Sequence, residues 1–143
     1  MTTHRLNNRE SVTVADFGAL RAAPAVPSVS VRLHRSGRWT VVEVDGEMDV
    51  QTLPLVVDAL GSDTTHVLFE LRGVTFLDAS GLGMMIGSQR TARAAGGCVR
   101  LVAPSQQARR LLWLTGTDRV FLTFDSLDKA VAAPVAVGRG PAA

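Results

Sequence analysis

The stretch VLFELRGVTFLDASGLGMM, residues 67–85, decides how this chain is read. It opens with a nearly continuous apolar run, Val67 to Leu71, the pattern of a strand covered on both faces. It closes on the helical spacing of Leu82, Met85 and Ile86, which runs through small residues to Gly96-Gly97. Three glycines, Gly81, Gly83 and Gly87, each weaken that helix, and the alanines before Gly96 compensate in part. A strand that feeds directly into a helix signals a crossover to a parallel neighbour. At the junction, Asp78 and Ser80 flank Ala79, a place suited to a nucleophile, a phosphate, a helix cap or a switch.

Strands and helices alternate outward from this centre. Val29, Val31 and Leu33 alternate with polar residues, and Ser36-Gly37 turns the chain into Trp39 to Val44, which makes a hairpin. Leu53, Val56, Val57 and Leu60 follow at helical spacing, with Pro54 in the first turn and Gly61 as the stop. On the other side, Cys98 to Val102 reads as a strand, and Pro104 opens a helix with the stripe Ala108, Leu111 and Leu112, ended by Gly116. Val120 to Phe124 gives the last strand, and Asp125-Ser126 caps a short helix of Leu127, Ala130 and Val131. The expectation is a largely parallel α/β sheet of about five strands with four helices, the hairpin adding antiparallel pairing at one side. Residues 1–28 and 134–143 are expected to be flexible tails around a domain spanning 29–133: the first lacks sustained periodicity and ends in Ala-Ala-Pro-Ala-Val-Pro, whose prolines disfavour both helix and sheet, and the last is rich in Gly, Pro and Ala.

Composition removes several functions. With 46% hydrophobic and 20% charged residues, the 143-residue chain is long enough for one domain with its own core. The net charge is only +2, tyrosine is absent and the arginines are scattered, so no basic, aromatic-studded groove for nucleic acid is expected. Arg90, Arg93, Arg100, Arg109 and Arg110 read as solvated faces. No run reaches the eighteen or so apolar residues of a membrane span, and no signal-peptide core opens the chain, so a cytoplasmic location without membrane contact is expected. The single Cys98 reads as a small buried hydrophobe.

Chemistry narrows further. Ser80 lacks the G-x-S-x-G setting, and His4, His34 and His66 lie far apart in sequence, so a serine hydrolase is the remotest alternative and no catalytic residue is assigned. One cysteine and three dispersed histidines give no metal-ligand spacing, and Gly81-x-Gly83-x-x-x-Gly87 fits neither a P-loop nor a dinucleotide fingerprint, so neither metal nor cofactor is expected. Asp78 is expected to cap the helix by accepting from the amides of Ser80 or Gly81. Of Met84 and Met85, at least one is expected in the core. Asp49 is open to reading as a turn residue bonded to its own backbone, and Glu47 as a solvated acid.

Taken together, these segments resemble the STAS domain of anti-sigma factor antagonists. Asp45-Gly46-Glu47-Met48-Asp49 with Thr52 is similar to that family's G-E-[LIM]-D-x-x-[TS] segment, and residues 74–83 to its [FY]-[MLI]-D-[ST]-[ST]-G-[LI]-G loop. Pro104 to Phe121, with Arg110, Leu111 and Gly116, is similar to a third family segment. The resemblance implies a STAS-type mixed sheet with helices packed mainly on one side, and a role in partner switching. It implies binding to an anti-sigma factor with an ATPase fold and Ser/Thr kinase activity, which frees a sigma factor, and resetting by a phosphatase. The implied partner-binding residues are Glu47, Asp49, Asp78, Ala79, Ser80, Gly81, Leu82, Gly83 and Met84. The residue after the Asp is the family's usual phosphoacceptor, and here it is Ala79. Two versions stay open: Ser80 as a replacement acceptor, or a constitutive antagonist or pure interaction module. A STAS interaction module in a complex without a sigma factor is the runner-up. The chain is expected as a monomer or a weak homodimer, and the Val29–Leu33 edge leaves dimerisation there open.

Overall fold

The computed structural model describes residues 12–13, 29–62 and 65–135. Among them six strands form one sheet in chain order, β1 (Val12–Thr13), β2 (Val29–Ser36), β3 (Trp39–Met48), β4 (His66–Leu77), β5 (Cys98–Val102) and β6 (Leu122–Phe124). The β1, β2 and β3 strands pair antiparallel, and β3 to β6 run parallel. The five expected strands are all present. Val12–Thr13, expected within a tail, instead pairs with Leu33 and Arg32 and partly covers the β2 edge through which dimerisation stood open. The remaining tail residues lie outside the described segments, except Pro134 and Val135.

Four helices connect or flank the strands: α1 (Leu53–Leu60), α2 (Ala79–Ala94), α3 (Gln106–Leu114) and α4 (Leu127–Ala132). Val56 and Leu60 of α1, Leu82, Met85 and Ala92 of α2, and Ala108 and Leu112 of α3 share one core with Val42, Phe69 and Leu101 of the sheet. Only α4 takes the opposite face, where Ala130 packs with Trp39, Val41, Leu68 and Val102. The helices therefore lie mainly on one side, as expected. Two ends differ from the sequence reading. Pro104 precedes the third helix without opening it, because the Ser105 side chain accepts from Ala108 N and fixes the start. The last strand starts two residues late, after a 3₁₀ turn at Thr117–Arg119.

The central strand β4 extends from the expected apolar run to Leu77 by means of two bulges. Its register against β3 slips by one residue between Glu43 and Asp45, and again between Gly46 and Glu47. Each extra residue reverses the in-out alternation. The core-facing set therefore runs Val67, Phe69 and Leu71, then Val74 and Leu77, leaving Thr75 and Phe76 exposed together. Gly73 belongs to the first bulge, where a Cβ would stand 1.6 Å from Asp45 Oδ1.

Arg100 corrects the solvated-arginine reading. Alternation along β5 turns it to the α4 face, where it is 1% exposed. Its Nη1 donates to the carbonyls of Ala130 (2.6 Å) and Ala133 (2.9 Å), and Nη2 to that of Pro134 (2.7 Å). The guanidinium lies 4.7 Å from the Trp39 ring centroid and 5.3 Å from that of Phe124. A helix C-terminus offers unpaired carbonyls and a negative dipole end, which a buried cation satisfies. Cys98, expected buried, is partly buried at the start of β5, packed against the α4-side core.

Candidate functional site

The two bulges deliver β4 to Asp78, whose extended backbone makes it the N-cap of α2. Its Oδ1 accepts from Ser80 N at 2.9 Å and Gly81 N at 3.1 Å, the two amides named from the sequence. That places a carboxylate at the positive end of a 16-residue helix. The Asp78 amide donates to Met48 O at 3.2 Å, which binds the helix start to the end of β3. Gly81 is buried at this crossing: a Cβ there would stand 2.9 Å from Met48 O and 2.6 Å from Leu77 Cδ1. The glycine thus lets the neighbouring loop approach the helix.

The second loop is locked by its own side chains. Asp49 Oδ1 accepts from Gln51 N (3.0 Å) and Thr52 N (3.1 Å), so its carboxylate serves the turn. Thr52 Oγ1 donates to Glu47 O at 2.7 Å and accepts from Asp49 N at 3.0 Å. Glu47 stays exposed and stands opposite Phe76 in the β3–β4 register.

The nine residues expected to bind a partner separate into three groups. Glu47, Ala79 and Gly83 are exposed, while Asp78, Ser80, Met84 and Asp49 are half-buried. Leu82 is a correction: at 4% exposure it faces the core and seats α2, and the buried Gly81 likewise serves packing. Met85 is fully buried, and Met84 packs against the core edge with Ser88 Oγ 3.6 Å from its sulfur. A Cβ on Gly83 would meet nothing within 4 Å, so the helix start is open there.

Three residues at this surface were not legible beforehand. Phe76 and Val50 are 43% and 67% exposed, and the bulges that turn Phe76 outward leave no sequence signature beyond Gly73. Gln107 of α3 accepts from Leu77 N at 3.0 Å and donates to Leu77 O at 2.7 Å. Its amide replaces a strand partner that β5, paired only as far as Glu70, no longer supplies. A lone glutamine on an exposed helix face gives no warning of this. The resulting surface is apolar and small at its centre, acidic at its rim and fixed from three sides.

The STAS domain family model matches residues 30–130. A Thermotoga neapolitana relative named as an anti-sigma factor antagonist homolog is 28% identical over half of this chain, and the match spans 64% of that protein's own length. The anti-sigma-B factor antagonist of Bacillus subtilis is 28% identical over 62% of this chain and 84% of its own. An anti-sigma factor antagonist from Mycobacterium paratuberculosis superposes with a TM-score of 0.66 at 28% identity, covering 73% of this chain and 92% of that structure. With the strand order, the Asp78 loop and this match over most of its length, the chain belongs to the STAS domain family.

Proposed function

We propose that this protein is an anti-sigma factor antagonist that binds an anti-sigma factor of the ATPase fold and Ser/Thr kinase type, and so frees a sigma factor. The observation that carries the reading is the helix start, where exposed Ala79 and Gly83 stand beside exposed Phe76 and Glu47 on a scaffold held by the Asp78 cap. Antagonists from Bacillus subtilis and Mycobacterium paratuberculosis among its relatives support the same role. The task is binding, in the cytoplasm where sigma factors act, and no catalysis is assigned to Ser80. Ala79 holds the exposed position at the loop and carries no hydroxyl, whereas Ser80 is half-buried. The antagonist is therefore constitutive at the usual acceptor position, and a phosphatase is not needed to reset it.

Titration of the full chain into a preformed complex of anti-sigma and sigma factor tests the reading. Wild type is expected to release sigma. Ala79→Arg, at an exposed position that leaves the fold intact, is expected not to. Failure of wild type to release sigma, or equal release by the variant, overturns the reading.

A further inference from the structure

At the far edge of the sheet, Trp113 and Leu122 are 70% and 56% exposed, and the adjacent Leu114 is 61% exposed. Trp113 and Leu122 line a groove of about 380 Å³ with Pro104, Leu112, Phe121 and Thr123. Such a cluster of large exposed apolar groups marks a contact surface. The β6 strand bounds it and pairs with β5 alone among the described residues. Phe124 O accepts from Ala103 N at 2.8 Å, so the peptide groups of residue 124, and by alternation those of residue 122, face β5. Those of Thr123 therefore point outward. One residue's N–H and C=O on an open edge match the same pair on an identical strand crossed antiparallel about a twofold axis.

We infer that this edge is a homodimer interface, closed by antiparallel pairing of β6 with its copy at Thr123. The charges on the groove are self-complementary in that arrangement. Arg109 lies at the C-terminal end of β6, 3.6 Å from Asp125, and Asp118 precedes its N-terminal end. Antiparallel crossing sets the Arg109 of each copy against the Asp118 of the other, and Asp118 has no ion pair among the described residues. Among the described residues, β6 is an edge where open peptide groups meet exposed apolar side chains, while β1 partly covers the opposite edge. Trp113 and Gln107 stand about 120° apart around α3, so the dimer leaves the Asp78 loop of each copy free. A tryptophan removes about 150–250 Å² from water on burial, whereas a stable interface needs about 800 Å² per partner, so the dimer is a weak, micromolar one.

Sedimentation of the full chain from about 1 to 200 μM tests this. Wild type is expected to pass from monomer to dimer, and the emission of exposed Trp113 to shift to shorter wavelength, while Trp39, 2% exposed, stays constant. Trp113→Ala is expected to raise the dissociation constant about tenfold or more. Arg109→Asp and Asp118→Arg are each expected to weaken the dimer, and the double exchange to restore it. A chain that stays monomeric throughout refutes the inference, as does a dimer insensitive to all of these variants.

Discussion

Replacing Asp78 separates its helix cap from its proposed partner contact. Asp78→Ala removes the acceptor of two amide bonds and a carboxylate from the positive end of α2. Loss of the cap costs about 1 kcal/mol, and loss of the charge at the dipole about 0.5 kcal/mol more. The sum, about 1.5 kcal/mol, lowers the melting temperature by roughly 6 °C for a domain of this size. Asp78→Asn keeps an oxygen for the Ser80 and Gly81 amides and loses only the charge, so it costs about 0.5 kcal/mol, roughly 2 °C. Thermal unfolding followed by circular dichroism reads both. In binding the order is expected to change its meaning: Oδ2 makes no hydrogen bond among the described residues, and if it meets the proposed partner, Asn is expected to weaken binding by more than its small stability loss explains. An Ala variant as stable as wild type, or an Asn variant as unstable as Ala, refutes the cap.

Other perturbations reach the α4 face of the sheet and the supports of the α2 helix start. Arg100→Met leaves three carbonyls without their buried donor and is expected to cost about 3 kcal/mol in urea unfolding, with altered Trp39 fluorescence. Gln107→Ala strips the side-chain partners from both the N–H and the C=O of Leu77 and is expected to cost about 1–2 kcal/mol and to weaken partner binding, read by unfolding and titration of the same sample. Ala79→Ser restores a hydroxyl at an exposed site, and a kinase-active partner with ATP is expected to phosphorylate residue 79. The phosphate, about 1.5 to 2 negative charges beside Asp78, is expected to dissolve the complex. Phosphopeptide mass spectrometry finding the modification on Ser80 in both wild type and variant contradicts that.

The fold was legible where one physical pattern governs a segment. The hairpin followed from alternation at Val29, Val31 and Leu33, and the cap at Asp78 followed from an acid between strand and helix. What stayed hidden depends on distant partners. Nothing near Arg100 in sequence announces the α4 carbonyls some thirty residues later, so an arginine in a strand read as surface. The two bulges of β4 count residues against β3, and a single strand cannot display its register. Leu82 was assigned to the partner because the motif spans it, yet helical spacing with Met85 turns it inward. Val12–Thr13 is too short to show periodicity and forms by pairing with β2.

The proposed role requires this loop to bind an anti-sigma factor and to stay unswitched at residue 79. Isothermal titration of the full chain against an ATPase-fold anti-sigma factor, before and after incubation of the mixture with ATP, tests it directly. A one-to-one complex is expected in both cases, with the chain unmodified by mass spectrometry. Absence of a complex, or a complex lost on ATP addition with phosphate on the 78–83 loop, would contradict it.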